Sequence, residues 1–176
     1  LTQEQMERYR LLLEMRCNKP EIFGDNVYAN PGVSEEYERY AVPGEYLTDQ
    51  QFANLLHEAE KYLGYPYVWG GASPSTSFDC SGFVSYVINH SGNGWNYGRL
   101  TASGWKNATA RVAASDVRAG DLVFFQGTYN TSGASHVGIV VDPVKKIMIH
   151  CGNPIQYASY DTAYWRAHAY CYGRIQ

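Results

Sequence analysis

The stretch Phe78-Asp79-Cys80-Ser81-Gly82-Phe83-Val84-Ser85-Tyr86-Val87-Ile88 decides how the rest of the chain is read. Ahead of it, Gly70-Gly71 and Ser73-Pro74-Ser75-Thr76-Ser77 spell a loop; within it, Phe83, Val84, Val87 and Ile88 recur at helical spacing. Cys80 therefore falls at or beside a helix N-terminus, with Asp79 or Ser77 as the N-cap. At that position the unpaired backbone N–H groups and the positive end of the helix dipole favour a thiolate. They lower a thiol from its usual pKa of about 8.5 and make a nucleophile at neutral pH. The alternative is a buried structural cysteine, and a base within reach separates the two readings.

The base is sought in Ser135 to His150, which reads as a β-hairpin with Asp142-Pro143-Val144-Lys145-Lys146 as its turn. Val137, Ile139 and Val141 share one face; His136, Gly138 and Val140 share the other. Pairing Val141 with Ile147 sets His150 opposite Gly138 and His136 opposite Gly152. The two imidazoles then become diagonal neighbours on one face, about 7–8 Å apart at the backbone. One can take the thiol proton while the other orients it, and a one-residue slip in register would separate them. His57, His90 and His168 share no such face and are read as surface or structural residues.

With these residues in place the chain resembles the NlpC/P60 peptidoglycan endopeptidases, a papain-like cysteine peptidase family. The resemblance runs through Tyr62-Leu63-Gly64-Tyr65-Pro66-Tyr67-Val68-Trp69-Gly70-Gly71, then Phe78 to Val84, then Ala119-Gly120-Asp121-Leu122-Val123-Phe124-Phe125, then Ser135-His136-Val137-Gly138-Ile139. These blocks stand in the family's order and cover residues 46 to 176 with their surroundings. The resemblance implies Cys80 as nucleophile, His136 as general base and His150 as the polar third residue. It also implies that the hydroxyl of Tyr67 supports the oxyanion together with the backbone N–H of Cys80. Asp79 and Ser81 match positions that bind the free amine of a short stem peptide. An aspartate beside a thiolate opposes its ionisation, so its place there suits recognition of a cation better than activation. Trp69 and Arg99 are further candidates for substrate contact. The segment Arg99-Leu100-Thr101-Ala102-Ser103 matches only loosely, and Ala119 stands where the family has proline. The expected activity is cleavage of peptidoglycan stem peptides between γ-D-glutamate and the diamino acid, through an acyl-enzyme on Cys80 and with no cofactor.

The remaining sequence fits one catalytic domain, residues 46–176, preceded by an extension or tether, residues 1–45. A helix is expected over Thr48 to Leu63, with Thr48 and Gln51 as a capping box and an apolar stripe of Phe52, Leu55, Leu56, Ala59 and Leu63. Strands are expected at Leu122 to Gln126, His136 to Val141, Lys146 to Cys151 and His168 to Arg174. An antiparallel sheet packed against helices, with the nucleophile at a helix N-terminus, makes an α+β fold. Leu1 to Arg16 can form another helix. Of 176 residues, 45% are apolar, enough for one sizeable core, and the net charge of −3 argues against a nucleic-acid partner. The 16 tyrosines and 4 tryptophans exceed what such a core needs, which puts Trp69, Trp95 and Trp105 under suspicion of lining a groove.

No run of 18 apolar residues occurs and no leader is visible. The expectation is a mature part of an exported bacterial protein acting outside the cell or at the wall, with a second wall-binding or wall-acting module joined to it. Of the 4 cysteines, Cys80 must stay reduced, and no disulfide is expected among Cys17, Cys151 and Cys171. Three other readings compete. The same Cys-His architecture can host amidase or acyltransferase chemistry. Cys80, Cys151, His136 and His150 could bind zinc, although the paired short spacing of a structural site is absent. An inactive wall-binding module is the third, and the intact Cys80, His136, His150 and Tyr67 speak against it.

Overall fold

A computed structural model of the chain describes residues 40–176. The expected helix over Leu1 to Arg16 and Cys17 lie outside the described residues, as does most of the extension. The end of the extension does touch the domain: the Tyr40 hydroxyl donates to Asp142 at 2.5 Å and its ring packs on Tyr157.

Helix α1 spans Gln50–Glu60 and buries Phe52, Leu55, Leu56 and Ala59. Its cap is Asp49 rather than Thr48, the carboxylate accepting from the N–H groups of Gln51 and Phe52. A 3-10 turn over Tyr46–Thr48 sends the Thr48 hydroxyl back to the Glu45 carbonyl, and Asp49 is left in the extended conformation that a cap requires. The helix closes before Leu63, in turns leading to Gly64 at φ +87°.

A short ribbon of β1 (Ala72–Ser73) and β2 (Ser77–Phe78) leads into helix α2, Cys80–Asn89, with Cys80 as its first residue. Phe83, Val84, Val87 and Ile88 are fully buried, as their spacing predicts. Helix α3 covers Ala102–Ala108 and strand β3 covers Ala110–Val112. The other strands are β4 (Leu122–Gln126), β5 (Ala134–Asp142), β6 (Ile147–Cys151), β7 (Ile155–Ser159) and β8 (Ala169–Arg174), with helix α4 (Ala163–His168) before the last. They form one antiparallel sheet in the order β3-β8-β4-β5-β6-β7, with α2 and α3 packed on β5. The α+β reading therefore holds. Strands β3 and β7 are additions to it: β3 is three residues long, and β7 follows β6 across only Gly152-Asn153-Pro154 with weak alternation.

The expected hairpin register also holds through its body, where Ile139 pairs with Ile149 and Val140 with Met148. A bulge near the turn makes Asp142, not Val141, the partner of Ile147. On the far side of β4, Asp121 is almost wholly buried and takes a two-pronged ion pair from Arg174 of β8, both contacts at 2.8 Å. None of the described helices is long and apolar enough to cross a membrane.

The approach of α2 to the preceding loop depends on one missing side chain. A Cβ at Gly82 would collide with the backbone carbonyl oxygen of Gly71, and that carbonyl is itself held by the N–H of Asp79. Gly82→Ala is therefore expected to lower stability by roughly 1–3 kcal/mol, despite alanine's better helix propensity. Urea unfolding of the two proteins measures it, and an unchanged or stabilised variant contradicts this account.

Candidate active site

Three segments converge at the start of α2. Cys80 is 7% exposed, and its sulfur lies 4.0 Å from the Ser135 carbonyl oxygen on β5. The N–H of Val137, on the same strand, and that of Ser81 bias the sulfur toward its charged form. Strand β5 thus meets the thiol on both sides of His136. His136 is buried, and its Nε2 is 2.9 Å from Nδ1 of His150 on β6, with the two rings nearly perpendicular. The register argument that put both imidazoles on one face is realised as a direct hydrogen bond.

The sequence leads one to expect a thiolate at Cys80, and the site opposes it. Burial first, and the Asp79 carboxylate second, push the thiol up to about 12, outweighing the N–H groups of Val137 and Ser81 and the charge of Arg99. The start of a helix favours an anion, but taking the charged sulfur out of water costs more than those N–H groups return. At rest Cys80 holds its proton, so any attack needs a base.

His150 is wholly buried, and burial alone pushes its imidazole down to about 3. Its Nε2 has no hydrogen-bond partner among the described residues. The ring is therefore neutral, and a neutral imidazole can orient His136 without adding charge. A stability effect follows. An unfolded chain's histidine titrates near 6.5, so between there and pH 3 the unfolded state binds a proton that the native state refuses. The contribution is fully present above pH 6.5 and is lost at up to about 1.4 kcal/mol per pH unit as the pH falls. Urea unfolding at pH 7 and pH 5 should show the wild type losing about 2 kcal/mol more than His150→Asn. Equal losses would remove His150 as the cause.

Tyr67 is buried beside these groups. Desolvation, then the negative charge accessible to Cys80 and Asp79, hold its hydroxyl in the neutral form. Its backbone is pinned from two sides: its N–H donates to the Asn153 side chain at 3.0 Å, and the next N–H, of Val68, donates to the Phe78 carbonyl. Cys151, next to His150, is fully buried with its thiol donating to that same Phe78 carbonyl at 3.2 Å. Its place is thereby explained as a tie between β6 and the approach to Cys80. The three described cysteines are all free thiols. Among the described residues no three His, Cys, Asp or Glu side chains form a group able to hold a metal ion.

Asp79 and Ser81 are already engaged. Asp79 caps α2 by accepting from Gly82 at 2.7 Å, and its other oxygen accepts from the Gly70 N–H at 3.0 Å. Nη2 of Arg99 donates to both carboxylate oxygens at 2.9 Å, while Nη1 donates to the Ser81 hydroxyl at 2.8 Å. Arg99 thus joins the site by binding two of its other candidate residues.

These groups face a cleft of about 350 Å³ lined also by Trp69, Thr101, Ser103 and Tyr129. Trp69 meets Tyr129 edge to face at 5.4 Å. The other suspected tryptophans lie elsewhere. Trp105 is a core residue bonded to Ser85, and Trp95 packs by α1 near Phe52 and Leu55, because aromatic content alone does not distinguish groove from core. A larger hollow of about 570 Å³, lined by Phe124, Tyr160, Tyr170 and Tyr172, contains none of the candidate residues. Histidines 57 and 90 are exposed, and His168 bonds the Gln126 carbonyl.

Two contributors escaped the sequence reading. Trp165 of α4 stacks on His136 at 5.3 Å and meets His150 edge-on at 5.7 Å, covering the pair. Tyr129 lies on the loop between β4 and β5, where only its polar, glycine-flanked setting marks it.

Comparison with known proteins agrees with this architecture. The chain is 39% identical over 131 residues to the bifunctional muramidase/DL-endopeptidase CwlT of Bacillus subtilis (strain 168), covering 71% of this chain and 37% of that protein. It is 36% identical over 113 residues to the gamma-DL-glutamyl hydrolase of the same organism, covering 64% and 27%. Thus it spans about a third of these relatives. A crystal structure of a lipoprotein-like NLP/P60 family protein from Staphylococcus aureus superposes with a TM-score of 0.67 at 34% identity, covering 81% of this chain and 44% of that one. The NlpC/p60 domain of the peptidoglycan hydrolase SagA gives 0.56 at 33% identity, covering 70% and 98%. The profile of the NlpC/P60 family matches residues 64–174, and with the helix-borne cysteine and the strand-borne histidine pair in place the chain belongs to that family.

Proposed function

We propose that this domain is a cysteine peptidase that hydrolyses the peptide stems of bacterial cell wall, cutting between γ-D-glutamate and the diamino acid. The observation that carries the reading is the His136–His150 hydrogen bond of 2.9 Å on the strands beside the Cys80 thiol. The choice of substrate draws on the relatives, whose names include a DL-endopeptidase and a gamma-DL-glutamyl hydrolase.

In this mechanism His136 Nε2 is engaged with His150, so Nδ1 serves the thiol. It takes the Cys80 proton as the sulfur attacks the scissile carbonyl carbon. The imidazolium that forms donates its Nε2–H to Nδ1 of neutral His150, which fixes the productive tautomer. The developing oxyanion receives hydrogen bonds from the Cys80 backbone N–H and the Tyr67 hydroxyl. Collapse breaks the C–N bond, and His136 returns its proton to the leaving amine. A water then attacks the thioester with His136 again as base, releasing the new carboxylate and restoring the thiol.

The enzyme acts outside the cell or at the wall in this reading, joined to a further wall-acting or wall-binding module in keeping with the share of its relatives that it spans. Mass spectrometry of purified wall fragments, incubated with the protein or with Cys80→Ala, tests it. New termini between γ-D-glutamate and the diamino acid, absent with the variant, support the proposal. Cleavage elsewhere points to amidase chemistry, and no cleavage on any wall type points to a binding module.

A further inference from the structure

We propose that Arg99 adapts the subsite beside Cys80 to stems whose amino end is acylated, by occupying the seat on Asp79 that a free ammonium group would need. The proposal rests on the hydrolase reading above and narrows its substrate to stems still amide-linked at their first residue, as they are when attached to glycan.

An ionised aspartate offers about four lone-pair positions. Asp79 has five donor contacts for those positions: the N–H of Gly82, the Ser81 hydroxyl and Arg99 Nη2 on one oxygen, and the N–H of Gly70 and Arg99 Nη2 on the other. The Ser81 hydroxyl, the neighbouring acceptor, donates to Asp79 and receives Arg99 Nη1. An incoming ammonium would have to break the ion pair to reach the carboxylate.

Charge reinforces the count. The Asp79 side chain is 10% exposed and that of Arg99 is 37% exposed, so the cleft sees the guanidinium more than the carboxylate. A protonated amine there meets a like charge with no unshared anion to offset it. An acylated nitrogen brings no charge and pays neither cost. The cation that Asp79 holds is thus the chain's own. Its two structural duties, capping α2 and tying down Gly70, explain why an acid stands beside the nucleophile without being there for a ligand.

Cleavage of two synthetic stems tests the assignment: L-alanyl-γ-D-glutamyl-diamino acid with a free amine, and the same peptide N-acylated. The diamino acid is the one released from wall, and the acyl group is acetyl in one arm and a muramyl lactyl group in the other. At pH 6.5 the wild type should give a kcat/KM at least tenfold higher for both acylated forms than for the free amine. The gap should close as the pH rises through about 8, where a terminal amine loses its proton. Arg99→Gln should shift the ratio at least tenfold toward the free amine at pH 6.5, whereas Arg99→Lys should keep the wild-type preference.

Equal or faster cleavage of the free-amine peptide by the wild type at pH 6.5 overturns the role of Arg99 and leaves the hydrolase reading standing. So does a gap indifferent both to pH and to Arg99→Gln. A preference for the lactyl form alone would transfer the recognition from nitrogen charge to the glycan and overturn it too. Cleavage of no form overturns the hydrolase reading and this one with it. If Arg99→Gln does not fold, as a melting curve would show, the wild-type ratio and its pH dependence still decide.

Discussion

Cys80→Ala is expected to reduce hydrolysis of wall stems by about a thousandfold or more while leaving the fold in place. Loss of a catalytic nucleophile removes both covalent steps at once, and whatever remains comes from binding and oxyanion stabilisation alone. The structural cost is small by comparison. The sulfur's contacts are weak ones, 4.0 Å to the Ser135 carbonyl and the N–H groups of Val137 and Ser81, and its deletion leaves a cavity of one atom beside the cleft. A stability loss of about 1 kcal/mol is the expected scale. Rates on purified wall together with urea unfolding separate the two effects. A variant that keeps more than a tenth of the activity would remove Cys80 from the mechanism. One that loses activity only because it has unfolded would leave the question to Cys80→Ser, which nearly preserves the shape.

His136→Ala should cost about as much activity, for a different reason. With burial and Asp79 pushing the Cys80 thiol up to about 12, the sulfur is not a standing thiolate waiting for substrate. Its reactivity depends on a group that removes the proton as attack proceeds. Without His136 the rate of alkylation of Cys80 by iodoacetamide should fall at neutral pH and climb only in strongly alkaline solution. Alkylation followed by mass spectrometry across pH reads this directly. An alkylation profile unchanged from wild type would mean that another group activates the thiol. His136 is also packed between Trp165 and His150, so its deletion opens a buried cavity and strips His150 Nδ1 of its partner. His136→Gln, with an amide donor for His150 and much of the volume, should be equally inactive yet closer to wild type in stability.

Much of this site is legible in the chain because its parts are local. The N-cap at Asp79, the helix that Cys80 opens and the alternation that puts His136 and His150 on one face each need only a dozen residues of context. What stayed hidden depends on longer reach. Arg99 meets Asp79 across a loop of no fixed period, and Trp165 arrives over the histidines from a six-residue helix near the other end of the domain. Thr48 carries a capping-box signature, but a preceding 3-10 turn rotates it out of use in favour of its neighbour. Helix position and burial act on the Cys80 thiol in opposite directions, and only the first is written in the order of residues. Trp105 shows the same limit in packing: the amphipathic ring that suits a groove also fills a core.

Every residue of β5 is buried from Ala134 to Asp142, and the strand pairs with β4 over Ala134–Ile139 and with β6 over Ile139–Asp142. Amides held in the middle of such a strand open to solvent only when the whole domain does, so those of Ile139 and Val140 should be among the slowest to exchange hydrogen for deuterium, at rates set by global unfolding. His136 rides on that strand. The proposed proton acceptor is thereby fixed to a fully buried strand, and any breathing that admits the proposed substrate is expected to fall to the loops that carry Trp69 and Tyr129.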